Sequence, residues 1–383
     1  MRRICVVVTA RPSYSRIKTA LDGLRDREDV DLQVIVAASA LLDRYGSAVE
    51  VMRDDGFEPD SMVYTVLEGE SPMSMAKTAG LGIIELSTAL GNLAPDAVVT
   101  VADRFETMST AVAAAYMNIP LAHIQGGEVT GSIDEKVRHS VTKLSDLHLV
   151  ATESAAERVR RLGEDPSTVH VTGCPSIDLA SAVLAQPEID FDPAERYGGV
   201  GGSIDLDAGY LVVLQHPVTT EYQASRAQTW ETLEAARDSG RQVLWFWPNV
   251  DAGADGTSNA IRTFREQDRP DGFHFFKNMR PSDFLRVLLK ADVLVGNSSV
   301  GIRECSYLGV PVVNIGSRQR DRERGHNVVD VGHDRAEILS AIEKQAEVGT
   351  YESDTLYGDG RSGNRIAEVL ATADLTIDKR ITY

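Results

Sequence analysis

Basic residues are scarce: 39 lysines and arginines face 57 aspartates and glutamates, a net charge of −18 over 383 residues. That balance excludes non-specific nucleic-acid binding and docking on an anionic membrane, which both need a basic surface. A local basic pocket for an anionic small molecule stays open. Cysteine is almost absent. Cys5, Cys174 and Cys305 lie far apart with no CxxC pair, so neither a disulfide framework nor a zinc site follows. Aromatics are only 6% of the chain, leaving the core to aliphatic residues, as in an α/β protein. No apolar run approaches the roughly 18–20 residues needed to span a bilayer. The opening MRRICVVVTA has a basic stretch before an apolar one, like a secretory leader. Its apolar part is short and runs into Arg11, so it reads as a buried first strand. The cytoplasm is the expected location. The GxGxxG fingerprint is missing after that strand, which argues against a bound dinucleotide.

What the chain does have is strand–helix alternation, and too much length for one ordinary core. Residues 3–9 are a β-branched run of the kind buried on both faces of a parallel sheet. A turn at 11–15 and a helix to about 27 follow. Further strands are expected at 32–37, 61–67, 97–101, 121–125, 147–151 and 168–172, with helices between, including 41–55 and 76–93. The alternation breaks between about 181 and 208, where Pro187, Pro193 and the glycines of 198–202 read as a linker able to accommodate domain motion. It restarts with strands at 210–215, 242–247, 272–276, 293–296 and 310–315, and a helix at 335–347. The expected fold is α/β, with two Rossmann-like domains facing a cleft. The expected boundaries are 1–180, 181–363, and a C-terminal helix and tail at 364–383 that returns to the first domain.

Ligands of open parallel sheets sit at the carboxyl ends of the strands, so charged residues there are the candidates. Residues 97–101 run into Asp103, Arg104 and Glu106; 119–124 run into Gln125, Gly126, Gly127 and Glu128. A helix then opens with Asp134 and Glu135 and carries Arg138 and His139. Arg11 and Ser15 follow the first strand, where a helix start and a guanidinium favour an anion. Gly296-Asn297-Ser298-Ser299 lets a diphosphate approach the backbone, with Glu304 placed to take ribose hydroxyls. Arg318, Arg320, Arg322 and Arg324 form a basic loop suited to closing over a phosphate, although internal ion pairs would use the same letters. His216 ends the second unit's first strand, and its near-neutral pKa suits donation to a departing diphosphate. The histidine and carboxylate spacings match no metal motif. Glu135 with His139, and Asp134 with Arg138, have the spacing of helix-face partners.

Together these stretches resemble the hydrolysing UDP-N-acetylglucosamine 2-epimerases over nearly the whole chain. The marks are Asp103-Arg104-Phe105-Glu106, His123 through Glu128, Ile133-Asp134-Glu135 with Arg138-His139, Gly173-Cys174-Pro175-Ser176, Gln215-His216-Pro217, Trp247-Pro248-Asn249 with Asp251-Ala252-Gly253, and Gly296 through Glu304. The resemblance implies a glycosyltransferase-B-like fold with UDP held mainly by the second domain, no cofactor, no metal, and a homodimer or homotetramer. It implies that Asp103 and Asp134 are catalytic carboxylates and His216 the leaving-group histidine. It further implies UDP-sugar contacts at Arg11, Ser15, Arg104, Ser298, Ser299, Glu304 and Arg318. Gln125, Arg138 and Asn249 lie in the matched stretches and complete the expected binding set. Two positions depart from the family. Gln125 stands where relatives carry a catalytic glutamate, and Ala40 where a histidine is common. A glutamine cannot take a proton, so Glu128 or Asp134 is expected to do that work, or the sugar differs. The implied reaction turns UDP-N-acetylglucosamine and water into N-acetylmannosamine and UDP. Another UDP-sugar, a non-hydrolysing epimerase, a retaining glycosyltransferase of the same fold and a UDP-sugar sensor without turnover are the alternatives.

Overall fold

The computed structural model describes every residue except 44, 45, 69, 70, 131, 132, 249, 250, 269 and 383. Its first half carries strands β1 (Arg2–Val8), β2 (Val30–Ala37), β3 (Ser61–Val63), β4 (Ala97–Val101), β5 (Leu121–Ile124), β6 (Leu147–Val150) and β7 (Val169–Val171). All pair in parallel, in the order β3-β2-β1-β4-β5-β6-β7. The apolar runs explain this: Ile4, Val6 and Val8 enter one core, Cys5 and Val7 the other, so both sheet faces are covered. The second half carries β8 (Val200–Gly201), β9 (Tyr210–Leu214), β10 (Gln242–Phe246), β11 (Phe273–Phe276), β12 (Val293–Gly296), β13 (Val312–Ile315) and β14 (Val328–Val331). Their order is β14-β13-β12-β9-β10-β11-β8. Leu211 and Val213 face one core there; Tyr210 and Val212 face the other.

The two Rossmann-like units expected from the alternation are therefore present. Each has one place where the strand order reverses, between β1 and β4 and between β9 and β12. Crevices open at such points, outside the carboxyl ends of the strands. The residues just beyond these four strands are Arg11, Asp103, His216 and Ser298. The fold thus selects four of the candidates on topology alone.

The helix Ser362–Thr372 buries Ile366, Ala367 and Leu370 in the core of the first sheet, beside Leu21 and Leu24. Arg2 caps its end, donating to the carbonyls of Leu370 (2.8 Å) and Ala373 (2.9 Å). Beyond it, Lys379 reaches the buried Glu164 carboxylate, which Lys143 (2.6 Å) and His148 (3.0 Å) also contact.

Several local expectations change. The glycines at 198–202 are not a free linker: Val200 and Gly201 pair antiparallel with Phe275 and His274 as the edge strand of the second sheet. A Cβ on Gly201 would fall 2.1 Å from the Phe273 carbonyl oxygen, so glycine is there for close approach. The turn at 11–15 is a short helix, Arg11–Ser15, with Pro12 in its first turn. The helix expected from 41 starts at Ala48, after a 3₁₀ turn Ala38–Leu41. β14 was not expected, because its alternation is partly exposed and weakly apolar.

Candidate active site

On the first-domain side, β4 ends at Val101 and Ala102 adopts a left-handed φ of 64°. That bend places Asp103 on the cleft wall. The fully buried Arg138, on the helix Asp134–Leu144, donates to the Asp103 carboxylate through one terminal nitrogen. Through the other it donates to the Glu128 carbonyl (2.7 Å) and to Glu135 (2.6 Å). Burial alone would raise the Asp103 pKa; Arg138, Arg16 and Arg322 together outweigh it and hold the carboxyl well below its usual range. Asp134, at the first position of the same helix, goes the other way. Burial and the Asp103 charge push it up to about 6, against the pull of Arg318. Arg104 is clamped between Glu106 (3.2 Å) and Asp251 (3.1 Å).

On the second-domain side, Gly296 ends β12 at φ 136°, and a Cβ there would lie 2.1 Å from the Leu214 carbonyl oxygen. Only glycine permits β12 to pass β9 so closely. Asn297 then locks the neighbouring strand end: its side chain accepts from the His216 amide and donates to the His216 carbonyl, both at 2.8 Å. Ser298 caps the helix Ser299–Ile302, and Arg318 donates to the Asn297 carbonyl (3.1 Å). His216 is not the near-neutral group its residue type suggested. Burial, then Arg318, Arg11 and Arg104, hold its pKa well below the ordinary value, so its imidazole is neutral in the unliganded site.

These groups line one cleft with about 1030 Å³ of empty space. Ten expected residues lie on its wall: Arg11, Ser15, Asp103, Arg104, Asp134, His216, Ser298, Ser299, Glu304 and Arg318. Arg11 and Arg16 also span it. Arg11 donates to Asn278 (2.7 Å) and Arg16 to the Ser299 hydroxyl (2.7 Å). Arg16 was missed, though a second arginine five residues after Arg11 in the same turn was a usable signal. The apolar part of the wall, including Leu179, Phe246, Met279 and Phe284, was missed as well. Its letters are those of ordinary core. One face of the cleft is thus cationic. Beside it stand two carboxyls of opposite character, one held ionised and one titrating near neutrality. Such a site can draw an anionic leaving group away while moving a proton.

A family model described as UDP-N-acetylglucosamine 2-epimerase matches residues 22–371. This chain belongs to the UDP-N-acetylglucosamine 2-epimerase family. It is 32% identical to a Legionella pneumophila UDP-N,N'-diacetylbacillosamine 2-epimerase (hydrolyzing), over 98% of this chain and 97% of that one. It is 30% identical to a Neisseria meningitidis UDP-N-acetylglucosamine 2-epimerase, over 97% and 95%. Among solved structures, a Methanocaldococcus jannaschii UDP-GlcNAc 2-epimerase in complex with UDP-GlcNAc and UDP superposes with a TM-score of 0.80. The identity there is 16%, covering 96% of this chain and 99% of that one. The Neisseria meningitidis enzyme bound to UDP-GlcNAc gives 0.77 at 17%, with the same coverage. At such identities the likeness speaks for the shared two-domain fold.

Within this member of the family, four expected site residues lie off the cleft wall or outside the described residues. Glu128 is the main correction. It was expected to serve the sugar as a carboxylate, yet its side chain is turned to the second domain, where Arg303 (2.5 Å) and Arg322 hold it. Gln125, buried with a left-handed φ of 66°, donates to the Cys174 sulfur (2.8 Å) instead of facing the cleft. Arg138 acts behind the wall, on Asp103. Asn249 lies outside the described residues. The four arginines of the basic loop also divide. Arg318 faces the cleft, Arg322 takes Glu128, Arg324 pairs with Asp330, and Arg320 is exposed. Glu135 does pair with His139 (2.9 Å), and Arg138 contacts both Asp103 and Glu135. Among the described residues, no group of three or more histidine, cysteine or carboxylate side chains could hold a metal ion. No described helix is long and apolar enough to cross a membrane.

Proposed function

We propose that this protein is a hydrolysing UDP-sugar 2-epimerase that converts UDP-N-acetylglucosamine and water to N-acetylmannosamine and UDP. UDP-sugar 2-epimerase activity is what family membership supports. The observation that carries the finer reading is the pair of unlike carboxyls in one arginine-rich cleft: Asp103 kept ionised by Arg138, and Asp134 poised near neutrality.

The C2–H of the sugar is a weak acid, so departure of UDP has to lead. The C1–O bond breaks with its electron pair going to UDP, and Arg11, Arg16 and Arg318 take up the charge that develops on the diphosphate. His216 contributes a neutral N–H donor, and the cations around it carry the electrostatic load. The ionised Asp103 faces the positive charge growing on the ring. Preorganised charge of this kind is commonly the largest catalytic term. Asp134 takes the C2 proton, which leaves a C1–C2 double bond. Water then adds its oxygen at C1 and gives up one proton to the solvent, while a solvent-derived proton is delivered to C2 on the face opposite Asp134, which inverts that centre. An acid–base group is most effective when its pKa lies near the working pH, the range where Asp134 stands. With Gln125 unable to carry a proton and Glu128 occupied by arginines, Asp134 is the carboxyl left for this task.

A second substrate is supported by the 32% identical Legionella relative, whose name specifies UDP-N,N'-diacetylbacillosamine. Both substrates are tested together. Each UDP-sugar is incubated with the protein in heavy water, and the product is read by mass spectrometry and NMR. The expected product is the free 2-epimeric sugar with one deuterium at C2. A UDP-linked product indicates a non-hydrolysing epimerase, and an unlabelled free sugar refutes proton exchange at C2.

A further inference from the structure

We propose that Glu128 is a positioning residue that seats the two halves of the site against each other. It ties the arm holding Asp103 in the first domain to the loop carrying Arg318 in the second. The inference rests on the reading of Asp103 and Arg318 as opposing charges of the reaction.

The connection can be followed bond by bond. The Glu128 carboxylate, almost fully buried, is held by Arg303 (2.5 Å) and Arg322, both from the second domain. Its own carbonyl accepts from Arg138 (2.7 Å), and the other terminal nitrogen of Arg138 holds Asp103. In the opposite direction, Arg322 donates to the Gln319 side chain (2.8 Å), and Gln319 donates to the Asn297 carbonyl (2.9 Å). That same carbonyl accepts from Arg318 (3.1 Å), and the Asn297 side chain locks the His216 backbone. One residue therefore lies between the anion of the first domain and both the cation and the imidazole of the second.

Its place in the fold suits that task. The chain passes between domains beside it, where the Cys174 amide donates to the Tyr357 carbonyl (2.7 Å). The Tyr357 ring lies 5.7 Å from the Arg303 guanidinium, and its hydroxyl donates to the Glu323 carbonyl (2.6 Å). Interdomain links elsewhere include Arg11 with Asn278 (2.7 Å), Arg16 with the Ser299 hydroxyl (2.7 Å) and Arg104 with Asp251 (3.1 Å) across the cleft, and the exposed pair Arg280 with Asp54. Contacts of that kind can open and close, while a pin near the crossing sets the angle at which the domains meet. A buried cluster of two guanidiniums and one carboxylate adds little net stability after desolvation, yet its geometry is strict. Those properties suit registration better than adhesion. Misplacing reacting groups by about 1 Å can cost a hundredfold in rate.

The test compares Glu128→Asp and Glu128→Gln with the wild type by steady-state kinetics on the UDP-sugar that is turned over. Thermal midpoint and UDP affinity by calorimetry are measured alongside. The aspartate keeps the charge, so the variant folds, but its reach is one methylene shorter. Its kcat is expected to fall ten- to a hundredfold, with UDP affinity within about fivefold and an unchanged thermal midpoint. The pH at which kcat/KM falls should stay where it is, since Glu128 moves no proton. A wild-type kcat in Glu128→Asp overturns the proposal, as does a Glu128→Gln variant that loses thermal stability but keeps its rate. Loss of the pH limb in either variant would make Glu128 a proton carrier and equally overturn it. Solution scattering of the UDP-saturated proteins reads the pin without turnover. Glu128→Gln should show a changed radius of gyration, and a profile identical to wild type counts against the pin. If the wild type exchanges no proton at C2, the proposed reaction fails, and the scattering result still decides on the pin.

Discussion

Replacing Asp134 by asparagine should stabilise the fold and destroy the activity in one step. Burial and Asp103 raise the Asp134 carboxyl from its ordinary 3.8 to about 6. A rise of about two in pKa corresponds to ~3 kcal/mol of preference for the neutral form. The sign follows from linkage. A carboxyl whose folded pKa is raised favours the fold where it is protonated in both states, below about 3.8. That advantage is lost as pH climbs through about 6. At pH 7.5 the wild type therefore carries an ionised Asp134 that costs it ~3 kcal/mol relative to a neutral group. Asparagine cannot ionise and has nearly the same shape. Asp134→Asn should unfold roughly 3–5 °C later than wild type at pH 7.5, with the difference shrinking towards zero by pH 4. Turnover should fall by about three orders of magnitude or more, because the proton carrier is gone. Calorimetric scans across pH 4–8 beside product assays make the measurement. A difference in melting temperature that does not change with pH refutes the reasoning, as does a less stable variant at pH 7.5. Either would mean that Asp134 ionises without penalty.

Two further substitutions probe the cationic side. His216→Ala should lower kcat about a hundredfold or more while the acid limb of kcat/KM stays near pH 6. That limb belongs to Asp134, since burial and neighbouring arginines keep His216 neutral in the free protein; its disappearance would assign the titration to the histidine. Arg16→Met should weaken UDP binding roughly tenfold in calorimetry, because Arg16 bridges the cleft to Ser299 and its charge is only partly offset by Asp103. Unchanged affinity would remove Arg16 from the diphosphate-binding set.

Much of this protein could be read from its letters. Runs such as Cys5-Val6-Val7-Val8 and Ala97-Val98-Val99 are apolar at every position, and only a strand covered on both faces uses such a pattern. Strand ends therefore announced themselves, and with them Arg11, Asp103, His216 and Ser298, because parallel sheets bring their ligands to those ends. Asp134 was legible too, as the first acidic residue of an amphipathic helix. What a charge does once it arrives is not written locally. Glu128 and Asp103 both follow a buried strand, yet one is taken by Arg303 and Arg322 from beyond position 300 and the other faces the cleft. Arg318 and Arg322 share a loop and point to different partners. The glycines at 198–202 look like a linker until β11, some seventy residues later, pairs with them. Elements and their order follow from short-range periodicity, which the sequence alone determines. Partners, burial and the direction in which each carboxyl titrates depend on residues hundreds of positions apart, and only the tertiary structure decided them.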